Sequence, residues 1–315
     1  RLPQHVFELF EAMNRHNNHN HNHNHNQNSI APYPDKVTLN ILLHTCSHTG
    51  LVNEALHIVS TMKEAHGVEP DIQHHCCVID ALGRAGRLAE AETYLLQNVD
   101  TKGGGLERDV AWMTLLGACR IHQDVERAER AASQIRSKKG TAEYASSRVL
   151  LSNIFAASRK WEAKEKVRAQ MRSGAVAKVP GTSSIVIDQL RHEFTVHDQR
   201  HPAHRQIENY LATLWQQMKA AGFQPRTDTV MHNFSDEEEK ESHLCQHSEK
   251  LAIAYGLMNT PPGTTLTIIN NLRVCPDCHE ATRFISLLTK RTIKVRDANS
   301  WHYFHEGSCS CKEYW

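Results

Sequence analysis

The chain has 315 residues, 40% of them hydrophobic, and carries 36 basic against 35 acidic side chains for a formal net charge of +1. Such a length suits two or three domains rather than one. The even charge excludes a protein that binds nucleic acid chiefly by neutralising phosphates, and no run approaches the roughly 18 apolar residues of a membrane span.

Nine cysteines in a chain of this length are not a secreted disulfide framework. Five of them, Cys245, Cys275, Cys278, Cys309 and Cys311, fall in the last third beside histidines, a distribution that points to metal. The sequence opens mid-pattern at Arg1-Leu2-Pro3 without an initiator Met, which reads as a fragment. A targeting peptide could have preceded it, so the opening residues say nothing of compartment.

In chain order, His5 to Arg15 reads as the second half of a helical hairpin, with Val6, Leu9, Phe10 and Met13 on one face. Residues 16–25 alternate His and Asn and read as a solvated, low-complexity insertion; weak metal chelation by the tract's five histidines is the competing reading. The chain then repeats itself. Leu42–Ala55, Val78–Ala91, Leu115–Ala128 and Leu151–Lys164 align, and their last positions stand 36, 37 and 36 residues apart. Each unit is an apolar helical stripe, a short turn and a second stripe. Neither helix pair can bury its apolar face alone, so neighbours must stack into an α-helical solenoid. Cys46, Cys76, Cys77 and Cys119 fall on its helices as packing residues.

From Val179-Pro-Gly-Thr-Ser-Ser184 the pattern changes. Ser184–Asp188 and Glu193–His197 are β-rich and predict a hairpin turning on Gln189-Leu-Arg191. A helix over Pro202–Ala221 follows, and the acidic run after Ser235 predicts a helix start with solvated carboxylates. Beyond it come a helix over Glu249–Met258, a strand over Thr265–Ile269 and a helix over Pro276–Leu288. Strands over Thr292–Arg296 and Trp301–Phe304 complete an alternation typical of an α/β layered domain.

His247-Ser-Glu249 followed by Cys275-Pro-Asp-Cys278 carries the strongest chemical signal. One imidazole and two thiolates suit Zn²⁺ and leave a fourth position open, while Pro276 and the helix dipole suit a Cys-x-x-Cys pair at a helix start. His247 and Glu249, two apart, would not share a face in mid-helix, so they belong at a helix entrance. There Glu249 can shuttle protons to a water that zinc acidifies towards roughly pKa 7, the arrangement of zinc nucleobase deaminases. His279, His302, Cys309 and Cys311 form a second set, four ligands of a closed structural zinc site. His305 is the reserve ligand should His279 not serve, and free cysteines near a frayed terminus are the competing reading. Cys245 reads as packing.

The period and wording of the repeats resemble the pentatricopeptide repeat family, in its plant-type PLS class. Leu42–Asp71 looks like one of the longer repeats, Ala81–Glu92 like the last ordinary one, and Leu115–Arg130 and Leu150–Met171 like its degenerate extension (E) motifs. Asn271-Leu-Arg-Val-Cys-Pro-Asp-Cys-His279, His247–Ala254, Pro261-Pro-Gly263, Val295–Asn299 and Cys309–Trp315 are similar to the DYW-type cytidine deaminase domain of that class. The resemblance implies a helical repeat solenoid followed by an α/β zinc-dependent cytidine deaminase-like domain. Its divisions fall at 1–35 (the end of a repeat plus the His/Asn insertion), 36–106 (repeats), 107–178 (E motifs), 179–235 (a Pro-Gly box and insert able to act as a lid) and 236–315 (deaminase core).

It further implies C-to-U RNA editing, with two Zn²⁺ per chain: a catalytic one on His247, Cys275 and Cys278 with Glu249 as catalytic acid/base, and a structural one on the second set. Single-stranded RNA, helper editing proteins and an organelle, mitochondrion or plastid, are the implied partners and place. Fifth and last repeat residues face a base in this family, which puts Asn40 and Asp71 on a pyrimidine, chiefly uridine; helix capping is the alternative for such a pair. An RNA-binding adaptor with structural zinc only, or the reverse amination of uridine, are the other functions left open. Departures from the pattern are Glu313 in the terminal triplet, Tyr303 where a second adjacent His is common, Ser184 for a usual Trp, and Val274 where deaminases generally carry Pro.

Overall fold

The computed structural model describes residues 2–20, 33–99, 105–137, 141–173, 180–196, 199–230, 234, 236–298 and 300–312. The His/Asn tract past Asn20, Val179, Asn299 and the Glu313-Tyr-Trp315 triplet lie outside the described residues. The chain divides into two compact units, 1–177 and 178–313.

The first unit is helical: α1 (Leu2–Asn20), α2 (Lys36–Thr49), α3 (Val52–His66), α4 (Ile72–Arg84), α5 (Leu88–Asn98), α6 (Leu106–His122), α7 (Val125–Gln134), α8 (Ala142–Ala157) and α9 (Trp161–Ser173). Helix α1 runs beyond the His5–Arg15 stretch that periodicity marks. Helices α2, α4, α6 and α8 stack on one another in turn, and each packs against its own hairpin partner. The stack is the solenoid that the repeat period requires. Hairpin ends follow local chemistry. Asp35 and Asp71 cap α2 and α4, and Gly50 closes α2 at φ 77°, a left-handed conformation glycine adopts without strain. Ala55, Ala91 and Ala128, the aligned small residues, are all fully buried. Lys164 replaces them in the last unit and lays its ammonium 5.1 Å from the Trp161 ring centroid.

The second unit contains β1 (Thr182–Ile187), β2 (Leu190–Thr195), α10 (His204–Ala220), a 3-10 turn (Thr227–Thr229), α11 (Glu237–Cys245), α12 (Ser248–Asn259), β3 (Leu266–Asn270), α13 (Pro276–Thr289), β4 (Ile293–Arg296), β5 (Trp301–His305) and β6 (Ser308–Cys309). The strands form one sheet in the order β2-β1-β3-β4-β5-β6, in which only β3 and β4 run parallel, joined through α13. Helices α12 and α13 lie on one face, with α10 packed against both. Ile185, Ile187, Leu266, Ile268, Ile293, Val295 and Phe304 point into that layer and are buried.

The hairpin differs from the expected one. Its turn is the pair Asp188-Gln189, at φ 49° and 64°, so Leu190 and Arg191 already pair with Ile187 and Val186. Two positive φ values in a two-residue loop match the twist of the flanking strands, a geometry that propensity alone does not favour at Asp-Gln. Helix α11 starts at Glu237 because Asp236 caps it by accepting from Glu238 N–H. The two-residue strand β6 has no periodicity to announce it.

Gly83 on α4 marks a close crossing between repeats: a Cβ there would come within 2.4 Å of Ala118 Cβ on α6. Gly83→Ala is expected to overpack this crossing and cost about 1–3 kcal/mol, measured by chemical denaturation, and Ala118→Gly in the same chain should recover most of the loss.

Candidate metal centres and active site

The parallel pair β3–α13–β4 fixes where the chemistry lies, because the loop after β3 delivers Cys275 to the start of α13. Cys275 is the N-cap of that helix and accepts from Cys278 N–H at 3.3 Å, with Pro276 in the first turn. His247 caps α12 in an extended conformation, φ −62° and ψ 142°, but makes no side-chain cap bond. Its ring turns instead to the sulfurs, with Nδ1 3.5 Å from Cys275 Sγ and 3.4 Å from Cys278 Sγ. The three groups sit within 4.8 Å of one another. One nitrogen and two sulfurs in this arrangement fit a tetrahedral zinc with its fourth position open.

Glu249 follows in the first turn of α12 and is 8% exposed. Asn270, at the end of β3, donates to its Oε1 at 2.9 Å, and Ser248 Oγ donates to Oε2 at 3.2 Å. Asn270 is itself oriented, since its Oδ1 accepts from Leu272 N–H. Ser248 pairs with Ser183 Oγ at 2.9 Å, so strand β1 braces the carboxylate as well. Both carboxylate oxygens of Glu249 are therefore held by neighbouring side chains, and little of the residue reaches solvent.

Charge at this site is balanced from below. Lys250 is wholly buried and donates to Asp277 Oδ2 at 2.7 Å, Leu244 O at 3.0 Å and Cys278 Sγ at 3.2 Å. Asp277 also accepts from Arg226 N–H at 2.8 Å, and the Trp215 ring lies over the ammonium. Burial opposes the charge on Lys250, but Cys278, Asp277 and Cys275 outweigh it and hold its pKa above the usual lysine value. Cys278 beside it and the His247 ring hold Cys275 well below the usual thiol range against its burial. Burial likewise pushes His247 down, and the Cys275 sulfur and Glu249 carboxylate reverse that to leave it raised.

The second group brings His279, His302, Cys309 and Cys311 within 4.8 Å. His279 Nε2 is 3.2 Å from Cys311 Sγ, and His302 Nδ1 is 3.8 Å from Cys309 Sγ. Four N and S groups with no position to spare suit a closed structural zinc. His302 Nε2 faces Asp297 Oδ2 at 3.5 Å, which directs Nδ1 to the sulfurs as in many metal-bound histidines. The Cys311 thiol lowers Cys309 to about 7. Strand β5 alternates, so His302 and Phe304 point inward, whereas Trp301, Tyr303 and His305 point outward. Tyr303 thus displaces no ligand, and the reserve candidate His305 is bonded to Thr292 on the far face. Cys245 packs against the apolar core, as expected of it.

In the repeats, Asn40 Nδ2 donates to Gln73 Oε1 at 3.2 Å, and Asp71 caps α4 through Gln73 and His74 N–H while pairing with Lys36. The two side chains meet around Gln73. Lys250, Asp277, Asn270 and Asp297 escaped the sequence reading. Lys250 and Asp277 abut recognised motif residues, but burial, which makes them consequential, leaves no mark in sequence.

Known proteins share this organisation. The DYW family of nucleic acid deaminases matches residues 222–315, the E motif 122–186 and the PPR repeat 37–66. Pentatricopeptide repeat-containing protein At3g57430, chloroplastic, of Arabidopsis thaliana is 44% identical over 282 residues, spanning 90% of this chain and 31% of the relative. Arabidopsis At5g06540 is 42% identical over 91% of this chain and 45% of its own length. OGR1, mitochondrial, of Oryza sativa subsp. japonica is 41% identical over 90% of this chain and 46% of its own length. The chain thus spans about a third to a half of these relatives.

Two measurements check the electrostatics. Lys250→Met leaves Asp277 buried without its cation and should cost about 3–5 kcal/mol in denaturant unfolding of the second unit. Zinc competes with protons for a raised His247, so a competitive-chelator titration should show affinity falling about tenfold per pH unit for each proton released as the pH drops from 8 to 6. The helical repeats, the E motif and the α/β domain with its paired His/Cys groups assign the chain to the pentatricopeptide repeat proteins that carry a DYW-family deaminase domain.

Proposed function

We propose that the protein edits RNA by hydrolytic deamination of cytidine to uridine, with water as co-substrate and ammonia as the second product. The open His247–Cys275–Cys278 trio with a buried, braced carboxylate two residues from its histidine carries this reading. His247, Cys275 and Cys278 hold a catalytic zinc, whose chemistry when bound is to acidify water towards a pKa of roughly 7. Glu249 would carry two protons in turn, one from the attacking water to the cytosine ring nitrogen and one from the resulting hydroxyl to the amine, which leaves as ammonia. Asn270 and Ser248 keep that carboxylate aimed through both transfers. Lys250 neutralises thiolate charge and spares the site a net anion next to the phosphate-bearing substrate. His279, His302, Cys309 and Cys311 hold a second, structural zinc, so two ions per chain are expected.

Access demands an unstacked base, and the repeats supply the single strand that offers one. Asn40 and Asp71 face one base of it, with a pyrimidine preferred. Within the domain limits drawn above, residues 179–235 combine strands β1 and β2 with helix α10 and control access to the metal. Relatives whose names read chloroplastic or mitochondrial favour an organelle, where helper editing proteins can complete the RNA-bound assembly. A non-catalytic adaptor would have no use for the bracing of Glu249, and the Pro180-Gly181 box and the chain's ending resemble the deaminating form more than the reverse, aminating one.

The test fuses a full repeat array ahead of this chain and follows a reporter RNA. About two zincs per chain, with C-to-U conversion lost at least a thousandfold in Glu249→Ala while both ions stay, supports the reading; conversion that survives the substitution sinks it.

A further inference from the structure

Among the described residues, helices α12 and α13 of the second unit pack on one face of its sheet. On the other, the register aligns Glu193, Ser184, Ile269, Arg296 and Trp301 in one row, and Arg191, Val186, Thr267, Lys294 and Tyr303 in the next. Trp301 and Tyr303 are each 42% exposed, Ile269 is 39% exposed, and the two rings lie 6.1 Å apart between centroids at 30°. A cation neighbours each ring from strand β4. Lys294 Nζ is 5.7 Å from the Tyr303 centroid, and Arg296 is the direct cross-strand partner of Trp301. Among the outward side chains of β1 to β5 the one carboxylate is Glu193, which Arg191 pairs at 2.7 Å. Strands β4 and β5 therefore present two exposed rings and two cations with no acid between them, in a chain whose total charge is nearly even.

This face leads to the catalytic loop. Arg296 precedes Asp297, whose Oδ2 accepts from Val274 N–H at 3.0 Å, immediately before Cys275. A strand of nucleotides crossing Tyr303 and Trp301 would reach the sheet end at which the trio sits.

We propose that the open face of β4 and β5 is a stacking platform for single-stranded RNA flanking the reacting cytidine, with Trp301 and Tyr303 each stacking a base and Lys294 and Arg296 meeting phosphates. Sheet modules that read RNA work this way, two or three aromatic rings holding bases while cations track the backbone. The platform rests on the reading of single-stranded RNA as substrate and adds where the deaminase unit grips it. A chain with little net charge needs such stacking, because salt-dependent phosphate contacts alone are too few.

The test uses the full chain and a uridine-rich 12-nucleotide RNA in which 4-thiouridine replaces uridine. Irradiation should yield crosslinked peptides containing Trp301 or Tyr303. The Trp301→Ala/Tyr303→Ala chain should bind the RNA at least tenfold more weakly by fluorescence anisotropy, while Trp301→Phe/Tyr303→Phe binds within about twofold of the parent. Lys294→Ala/Arg296→Ala should weaken binding and flatten its salt dependence. All four substituted positions lie on the outward face of the sheet, so melting curves should match the parent. Crosslinks confined to residues 36–171, with unchanged affinity in the ring-less chain, overturn the platform. So does a dimer in sedimentation that the ring-less chain abolishes, since a second copy would then own the face. Crosslinks on β5, in a chain whose repeat-fused form still converts the reporter after Glu249→Ala, would overturn the proposed deamination and leave the platform standing.

Discussion

One turn of helix carries most of the second unit's design. Cys275, Cys278 and His279 project from the start of α13 into two different groups, and Asp277 between them is sealed against Lys250. A Cys275 sulfur held well below the usual thiol range and a buried carboxylate in so small a volume call for positive charge, and the helix dipole supplies only part of it. Lys250 meets the remainder with donors to a sulfur, a carboxylate and a carbonyl at once. Its position is dictated by α12, which also carries His247 and Glu249. The two helices cannot shift against each other without breaking a ligand set and a buried ion pair together.

The sheet gives that turn its foundation. A parallel β3–β4 pair forces a crossover helix, and the helix must begin where β3 ends. The loop at that point is short, so Asn270 at the strand end and Cys275 at the helix start are held close. Strand β1, antiparallel to β3 on its other side, brings Ser183 under Ser248. Residues before the acidic run thus belong to the framework of the candidate site and not merely to its approach.

Much of this was legible in the sequence, and unevenly so. The solenoid announced itself by period, because a repeat that cannot bury its own face must copy itself. The two His/Cys groups were legible because ligand types are few and a Cys-x-x-Cys pair suits a helix start; a helix entrance at His247 and Glu249 followed from their lying two residues apart. The hairpin register was not legible, since Asp188-Gln189 adopts two positive φ values that neither residue type advertises. Nor was the partnership of Lys250 with Asp277, separated by 27 residues and a strand. Asp71 shows the limit from the other side. Its pattern position suggests a base contact, and the fold gives it a capping bond and a lysine as well.

Asp297 joins the two groups in a way that neither motif reveals. One carboxylate steadies His302 in the second group and, through Val274 N–H, the backbone that presents Cys275 to the first. Cys309 and Cys311 lie beside the His302 and His279 rings, and the His302 ring in turn faces this carboxylate. The second His/Cys group is thereby tied to the loop before α13: a change at Cys309 or Cys311 reaches His302, then Asp297, then the backbone that presents Cys275, while every residue of the candidate trio remains in place in the chain.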